Sequence, residues 1–240
     1  MSAYSVIAKV YDLFQDEFDY KRYAQLIKKY IEEYNLSGGI VDAGCGTGVM
    51  LSLLNDLPND LIGIDISNDM LVVASEKNTK ALLLKQDIKK MDLVGKVSLV
   101  YSSLDVINHL KSLKEIGRFF RGVYTSLEKD GLFIFDFNLP YKHEQILHNN
   151  VYILEKPNNL LVWQNFYTDK KIRIVLTLFS KESDRLYRRE DEEFFEYTYL
   201  AEEITSLLEN NFNIIEVIDG ESFSKLSCTS QRALIIAKRK

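Results

Sequence analysis

The chain of 240 residues is long enough for one domain, or for one domain with an inserted subdomain. Its composition, 46% hydrophobic and 27% charged, is that of a globular protein and excludes a disordered or fibrous one. The net charge of −5 argues against a nucleic-acid partner, and no apolar run is long enough to cross a membrane. The two cysteines are too few for a zinc site or a disulfide framework, and the start of the chain has no secretory signal. We therefore expect a cytoplasmic protein.

The first half of the chain alternates helices with short apolar strands. Residues 20–35 repeat apolar side chains at three-and-four spacing, which predicts an amphipathic helix. Strands are predicted at IVDAG, LIGID, ALLLKQD, VSLVYSSLDVI and DGLFIFDFN. Helices are predicted between them at VMLSLLNDL, SNDMLVVASEK and SLKEIGRFFRGVYTSLE, the second with Ser67 as its N-cap. Strands that are apolar throughout are typical of a parallel sheet covered by helices on both faces.

The pattern changes after about residue 150. Four strand-like segments, VYILEK, LLVWQNFYT, KIRIVLTLFS and RLYRREDEEFFEYTYL, predict an antiparallel meander with one wet face. A helix (AEEITSLLENN) and two strands (FNIIEVID and RALIIAKRK) follow. We predict an α/β fold, a doubly wound and mostly parallel seven-stranded sheet built from residues 1–149 and 200–240. Residues 150–199 are predicted to form an inserted antiparallel β subdomain that provides the acceptor side of the site or a homodimer surface.

The stretch GGIVDAGCGTGVMLSLL places three glycines in a predicted strand-to-helix turn, at Gly44, Gly46 and Gly48. Such a turn lets the backbone approach a ligand at the carboxyl end of a strand. A phosphate loop would need a Gly-Lys-Ser/Thr ending that is missing here. A dinucleotide fingerprint would need a third glycine at the position that Val49 occupies. The reading that remains is a nucleoside bound without a pyrophosphate.

These motifs resemble those of the class I S-adenosylmethionine-dependent methyltransferases. VDAGCGTG (41–48) matches their first motif, GIDIS (63–67) the second, QDI (86–88) the third, and YSSLDVINHL (101–110) the segment after strand four. The sequences before the first motif and after strand five are similar to a bacterial small-molecule branch that includes aminosugar N-methyltransferases. The resemblance implies a Rossmann-like fold and S-adenosylmethionine as the methyl donor, with S-adenosylhomocysteine as its product and no metal.

The resemblance also implies roles for individual residues on the donor side. The three glycines would pass close to the amino-acid part of the donor, and Asp42 would orient their loop. Asp65 lies about twenty residues beyond them, where a carboxylate can accept both ribose hydroxyls. The adenine would be flanked by Ile66, Met70, Asp87 and Ile88, and the sulfonium by Ser102. Tyr11 and Tyr20 resemble residues that close over the donor.

His109 and Tyr11 are the catalytic candidates. A histidine at position 109 could accept the proton that an amine or hydroxyl acceptor loses, although it could equally be a polar residue at a helix start. His143 and His148 could line an acceptor pocket. We expect direct in-line methyl transfer to a nitrogen or oxygen of a small molecule, in which alignment matters more than covalent catalysis. An RNA or protein methyltransferase, or a non-catalytic nucleoside-binding protein of the same fold, are the alternatives.

Overall fold

The computed structural model describes residues 4, 6–15, 18–77 and 79–240, which form two β-sheets flanked by helices. The strands are β1 (Gly39–Ala43), β2 (Leu61–Asp65), β3 (Leu82–Lys85), β4 (Val97–Ser102), β5 (Leu127–Asn138), β6 (Val151–Lys156), β7 (Asn159–Thr168), β8 (Lys171–Ser183), β9 (Leu186–Tyr197), β10 (Phe212–Asp219) and β11 (Arg232–Arg239). The α-helices are α1 (Tyr20–Glu33), α2 (Val49–Leu53), α3 (Asn68–Ser75), α4 (Leu113–Ser126) and α5 (Ala201–Leu208).

The larger sheet has seven strands in the order β10-β11-β5-β4-β1-β2-β3. The five strands from β5 to β3 in this order are parallel to one another, whereas β11 is antiparallel to both β5 and β10. The chain runs outward from β1 to β3 and then returns to β4 on the other side of β1. Strand order therefore reverses between β1 and β4, where open α/β sheets bind their ligands. The predicted doubly wound, mostly parallel sheet is confirmed.

Helices cover both faces of this sheet because its central strands are apolar along their length. On one face, α4 and α5 bury side chains such as Phe119 and Ile204 against the sheet. On the other face, α1 and α2 bury Ile27 and Leu51. Each such side chain stabilises the fold by about 1.5–3 kcal/mol relative to an exposed one. Packing on both faces leaves only the strand ends open to a ligand.

The smaller sheet is an antiparallel meander in the order β6-β7-β8-β9, as the alternating pattern predicts. Strand β8 buries alternate residues, among them Ile172, Ile174 and Leu176. This apolar face packs against the amino-terminal segment through Ile7 and against Leu147. The amino-terminal segment therefore packs on the apolar face of the smaller sheet.

Three segments differ from the predicted elements. The predicted strand VSLVYSSLDVI is too long, because β4 ends at Ser102 and a 3-10 helix covers Val106–His109. A π-helix at Lys142–Leu147 and a 3-10 helix at Tyr11–Phe14 were not predicted at all. The two 3-10 helices bring Tyr11 and His109 to the cavity described below.

Candidate functional site

The loop after β1 is held in a conformation that only glycine adopts freely. The φ angles are 87° at Gly44, 50° at Gly46 and 75° at Gly48. The N–H of Gly44 donates to the carbonyl of Ile64 at 2.7 Å, which ties the loop to β2. A Cβ at Gly44 would lie 2.6 Å from Val106, whereas a Cβ at Gly46 would meet no described atom within 4 Å. Gly46 therefore presents bare backbone to open space at the sheet's carboxyl edge.

Asp65 ends β2 and faces this loop. Its Oδ2 accepts a hydrogen bond from the N–H of Gly46 at 2.9 Å, and its Oδ1 accepts one from the N–H of Ser67 at 2.7 Å. Ser67 caps α3 through Met70, as predicted. Burial raises the pKa of Asp65, and the N–H groups of Ser67 and Gly46 oppose this by favouring the charged form. Each carboxylate oxygen retains acceptor capacity for a ligand hydroxyl.

Asp42 lies deeper, near the end of β1, and is 1% exposed. Burial raises the pKa of Asp42 to about 8, with a further contribution from the Asp65 carboxylate, while the neighbouring Tyr101 hydroxyl opposes the shift. Its Oδ1 has no hydrogen-bond partner among the described residues. A buried polar atom without a partner is rare in proteins and indicates a ligand or water contact.

One cavity of about 670 Å³ joins the glycine loop to the strand ends around it. The predicted site residues that line it are Tyr11, Tyr20, Asp42, Gly44, Gly46, Asp65, Ile66, Met70, Asp87, Ile88 and His109. Gly48 and Ser102 do not line it. Gly48 begins α2 and packs close to Ala74, and the Ser102 hydroxyl donates to the carbonyl of Ala43 at 2.7 Å. These two residues support the loop and the sheet beneath the cavity.

The end of the cavity next to β3 is built from this strand and the turn that follows it. Asp87 accepts a hydrogen bond from the N–H of Lys89 at 3.0 Å and so caps the short helix Ile88–Lys90. Met70 is buried, whereas Ile66 is exposed at the cavity rim.

Thr47, on the glycine loop, donates its hydroxyl to Asp12 at 2.6 Å. This hydrogen bond attaches the amino-terminal segment to the glycine loop.

The opposite wall of the cavity is aromatic. The Tyr4 hydroxyl and His109 Nε2 are 3.0 Å apart, and the Tyr4 ring lies 5.4 Å from Tyr11 and 4.6 Å from Phe194. Sequence patterns did not point to the β8 and β9 residues on this wall, because period-two alternation does not show which face meets a ligand. These residues are Lys171, Glu193, Phe194, Phe195 and Tyr197.

A buried ion-pair network holds the segment that carries His109. Leu104 and Asp105 have φ angles of 62° and 57°, and their N–H groups both donate to the Asp136 carboxylate, at 3.0 and 2.8 Å. Arg232 bridges Asp136 at 2.6 Å and Asp105 at 2.8 Å. Burial raises the pKa of Asp105, but Arg232, Lys142 and His109 together bring it below its ordinary value. The network stabilises a backbone conformation that L-residues disfavour.

The other two histidines lie outside the cavity. His143 is fully buried between the Thr198 hydroxyl at 2.7 Å and the Glu196 carboxylate at 3.0 Å. His148 is exposed beside Asn149. Neither lines the cavity, so their predicted role in an acceptor pocket lacks support. Asp105, His109 and Glu196 each place one ligand atom within 4.8 Å of the others, a group with metal-ligand chemistry that sequence spacing did not reveal.

The fold and this site define a class: a Rossmann-like protein with a glycine loop at the carboxyl edge of its parallel sheet. Residues 41–135 match the family model described as a methyltransferase domain. A crystal structure of an S-adenosylmethionine-dependent methyltransferase from Clostridium acetobutylicum is 29% identical and covers 98% of both chains, with a TM-score of 0.89. The chain is therefore an S-adenosylmethionine-dependent methyltransferase.

Two sequence relatives extend the likeness. A Geobacillus sp. (strain WCH70) protein, whose name as a methyltransferase is itself provisional, is 25% identical over 98% of this chain and 99% of its own length. A Streptomyces fradiae dTDP-3-amino-3,6-dideoxy-alpha-D-glucopyranose N,N-dimethyltransferase is 30% identical over 113 residues, 46% of this chain and 44% of its own length. In the part of the chain that the structure describes, no helix is long and apolar enough to cross a membrane.

The residues present fit S-adenosylmethionine. The unpartnered Asp42 oxygen suits a positively charged group, and the bare backbone of Gly46 leaves room for a ligand close to the loop. Asp65 has acceptor capacity for hydroxyls, and Met70 and Ile88 provide apolar surface for a base.

Proposed function

We propose that the protein transfers a methyl group from S-adenosylmethionine to a nitrogen or oxygen of a small-molecule acceptor, by direct in-line transfer and without a metal. The observation that carries the proposal is the single cavity with two chemically different walls. One wall has glycine backbone and carboxylates, and the other has aromatic rings. A volume of about 670 Å³ is within the range of small-molecule sites.

The donor side would act by binding and orientation. Asp65 would accept the ribose hydroxyls while its hydrogen bonds to Gly46 and Ser67 hold the loop. Ile66, Met70, Asp87 and Ile88 would surround the base. When bound, S-adenosylmethionine supplies an activated methyl group with its own leaving group, so the protein needs no covalent catalyst.

The acceptor side would exclude water and receive a proton. Tyr4, Tyr11 and Phe194 form an apolar enclosure beside His109, which favours a small acceptor held close to the donor. His109 would accept the proton of an amine or hydroxyl acceptor. The smaller sheet, residues 150–199, would then serve as the acceptor wall. The Streptomyces fradiae relative is named for an aminosugar substrate, which supports a nitrogen acceptor.

Calorimetric titration with S-adenosylmethionine tests the donor assignment. Asp65→Ala should weaken binding about 100-fold or more, because hydrogen bonds to a charged group contribute about 1.5–3 kcal/mol each. Asp60→Ala is the matched control, since Asp60 is an exposed carboxylate just before β2, and its affinity should equal that of the natural protein. Equal binding by both variants would contradict the assignment.

Methyl transfer itself is tested with methyl-radiolabelled S-adenosylmethionine and panels of small amines and hydroxyl compounds. We expect label in at least one small-molecule product, and less of it with His109→Ala at unchanged donor affinity. Label that appears only in an RNase-sensitive or protein fraction would instead favour the RNA or protein methyltransferase. Saturable donor binding with no transfer to any fraction would indicate a non-catalytic protein. A cytoplasmic location and a homodimer remain predictions.

A further inference from the structure

Asp42 is a buried carboxyl group that lines the cavity without a cation to pair with. It is 1% exposed, and no lysine, arginine or histidine of the described residues forms an ion pair with it. Its Oδ1 has no hydrogen-bond partner there either. Burying an ionised carboxylate without a partner is strongly unfavourable, and the group responds by taking up a proton.

The groups that face Asp42 from neighbouring elements do not compensate a negative charge. Asp65 on β2 is itself a carboxylate and raises the pKa of Asp42 further. The Tyr101 hydroxyl on β4 favours the charged form of Asp42 but lies outside hydrogen-bonding geometry, and the Tyr23 hydroxyl on α1 is likewise buried and unpartnered. The Asp42 charge also raises the pKa of Cys45, on the glycine loop, and of Tyr20. Both groups are neutral and so provide no positive charge to Asp42. The Asp42 oxygen and the Tyr101 and Tyr23 hydroxyls are therefore all buried without a hydrogen-bond partner among the described residues.

We propose that Asp42 is a neutral carboxylic acid in the free protein at neutral pH, and that it releases its proton when the ammonium group of the donor binds beside it. The O–H bond of Asp42 breaks, its proton passes to the buffer, and the carboxylate forms an ion pair with the ammonium group. The Tyr101 hydroxyl, which favours the charged form of Asp42, stabilises the resulting pair. The inference rests on the proposed donor and adds that donor binding is linked to proton release.

The size of the effect follows from the pKa of about 8 that burial imposes on Asp42. At pH 7 about 0.9 proton should leave per ligand bound. Affinity should rise with pH, since the free protein then holds less of the proton that must leave. Between pH 6.0 and 7.5 the increase should be about 25-fold.

Three ligands distinguish which positive charge is responsible. S-adenosylmethionine carries a sulfonium and an ammonium group, S-adenosylhomocysteine carries the ammonium group alone, and 5′-methylthioadenosine carries neither. Each is titrated calorimetrically at pH 7.0 in phosphate and in Tris, whose ionisation enthalpies differ, so that the difference in heat counts the protons released. We expect release with the first two ligands and none with the third.

The outcomes separate the inference from the proposed function. Binding of S-adenosylhomocysteine with less than about 0.2 proton released would overturn the inference and leave the donor assignment standing. Release with S-adenosylmethionine alone would assign the effect to the sulfonium and overturn the role of the ammonium group. Absence of binding by all three ligands would instead overturn the donor assignment.

Variants assign the proton to Asp42. Asp42→Asn should bind S-adenosylhomocysteine more weakly, with no proton release and no change of affinity between pH 6.0 and 7.5. Asp60→Asn, the exposed control, should behave as the natural protein. Tyr101→Phe should keep the proton release but bind more weakly at pH 7, because it removes a group that favours charged Asp42. Proton release that persists in Asp42→Asn would place it on Asp65 and overturn the inference.

Discussion

The two walls of the cavity are built by different means. The donor wall comes from one stretch of chain, residues 42–89, and acts largely through backbone N–H groups, glycine conformation and carboxylates at strand ends. The acceptor wall is assembled from the amino-terminal segment, the turn after β4, and strands β8 and β9, and acts through side-chain rings.

This difference means that the donor wall tolerates little change, whereas the acceptor wall can vary. A backbone cradle depends on φ angles and close approach, which a single Cβ disrupts. Rings contributed by a separate sheet can be exchanged without altering the central fold. A protein of this design can keep one donor and change its acceptor.

The largest expected effect comes from removing Arg232, which holds the turn after β4 that carries His109. Arg232→Ala leaves the Asp136 and Asp105 carboxylates buried without their cation, and should lower the free energy of unfolding by about 3–5 kcal/mol. Arg173→Ala, which breaks an exposed pair with Glu193, should cost less than about 1 kcal/mol. Urea denaturation measures both. If the two variants lose equal stability, the ion pairs of Arg232 do not stabilise the turn that carries His109.

A smaller effect should appear when a Cβ enters the donor wall. Gly46→Ala and Gly95→Ala both place alanine at positive φ, 50° and 95°, with no described atom within 4 Å of the new Cβ. Both should therefore lose similar stability, about 1–2 kcal/mol. Only Gly46→Ala should weaken S-adenosylmethionine binding, by about tenfold or more, because its methyl group occupies cavity space. Equal affinities, measured by calorimetry, would show that the donor does not approach Gly46.

The smallest effect should come from the contacts that join the amino-terminal segment to the glycine loop and to Lys77. Asp12 accepts a hydrogen bond from Thr47 and pairs with Lys77 at 2.6 Å, so Asp12→Asn loosens the amino-terminal segment over the glycine loop. Donor affinity should fall by about two- to fivefold, and less at high salt, as for an exposed pair of about 1 kcal/mol or less. Asp56→Asn, which removes a similar exposed pair with Lys28, should leave affinity unchanged. A matching loss in both variants would indicate a general charge effect.

Much of the donor wall could be predicted because its residues follow one another at short, regular intervals. Apolar strands indicated the sheet, and the acids at positions 42, 65 and 87 lie near the end of such a strand or just after it. Parallel strands bring their carboxyl ends to one edge, so these acids meet without any long-range information. The raised pKa of Asp42 was not predictable, because it depends first on the burial of this side chain in three dimensions.

The acceptor wall was only partly predictable. His109 and Tyr11 were candidates from the sequence, but Phe194 and Tyr197 reach the same wall only because strand β9 packs there. The turn that carries His109 looked like a continuation of β4, because its left-handed backbone is imposed by Asp136 and Arg232 from distant strands. The sequence pattern around the turn therefore cannot reveal Asp136 and Arg232 as its partners.

Periodicity and residue order along the chain therefore determine the α/β sheet, its glycine loop and the donor carboxylates, since these depend on interactions between residues close in sequence or at equivalent strand ends. The shape of the acceptor wall, the left-handed turn at Leu104 and Asp105, and the charge state of Asp42 are decided only in the folded protein. They depend on burial and on contacts between segments far apart in the chain, such as Asp105 and Arg232, which are 127 residues apart.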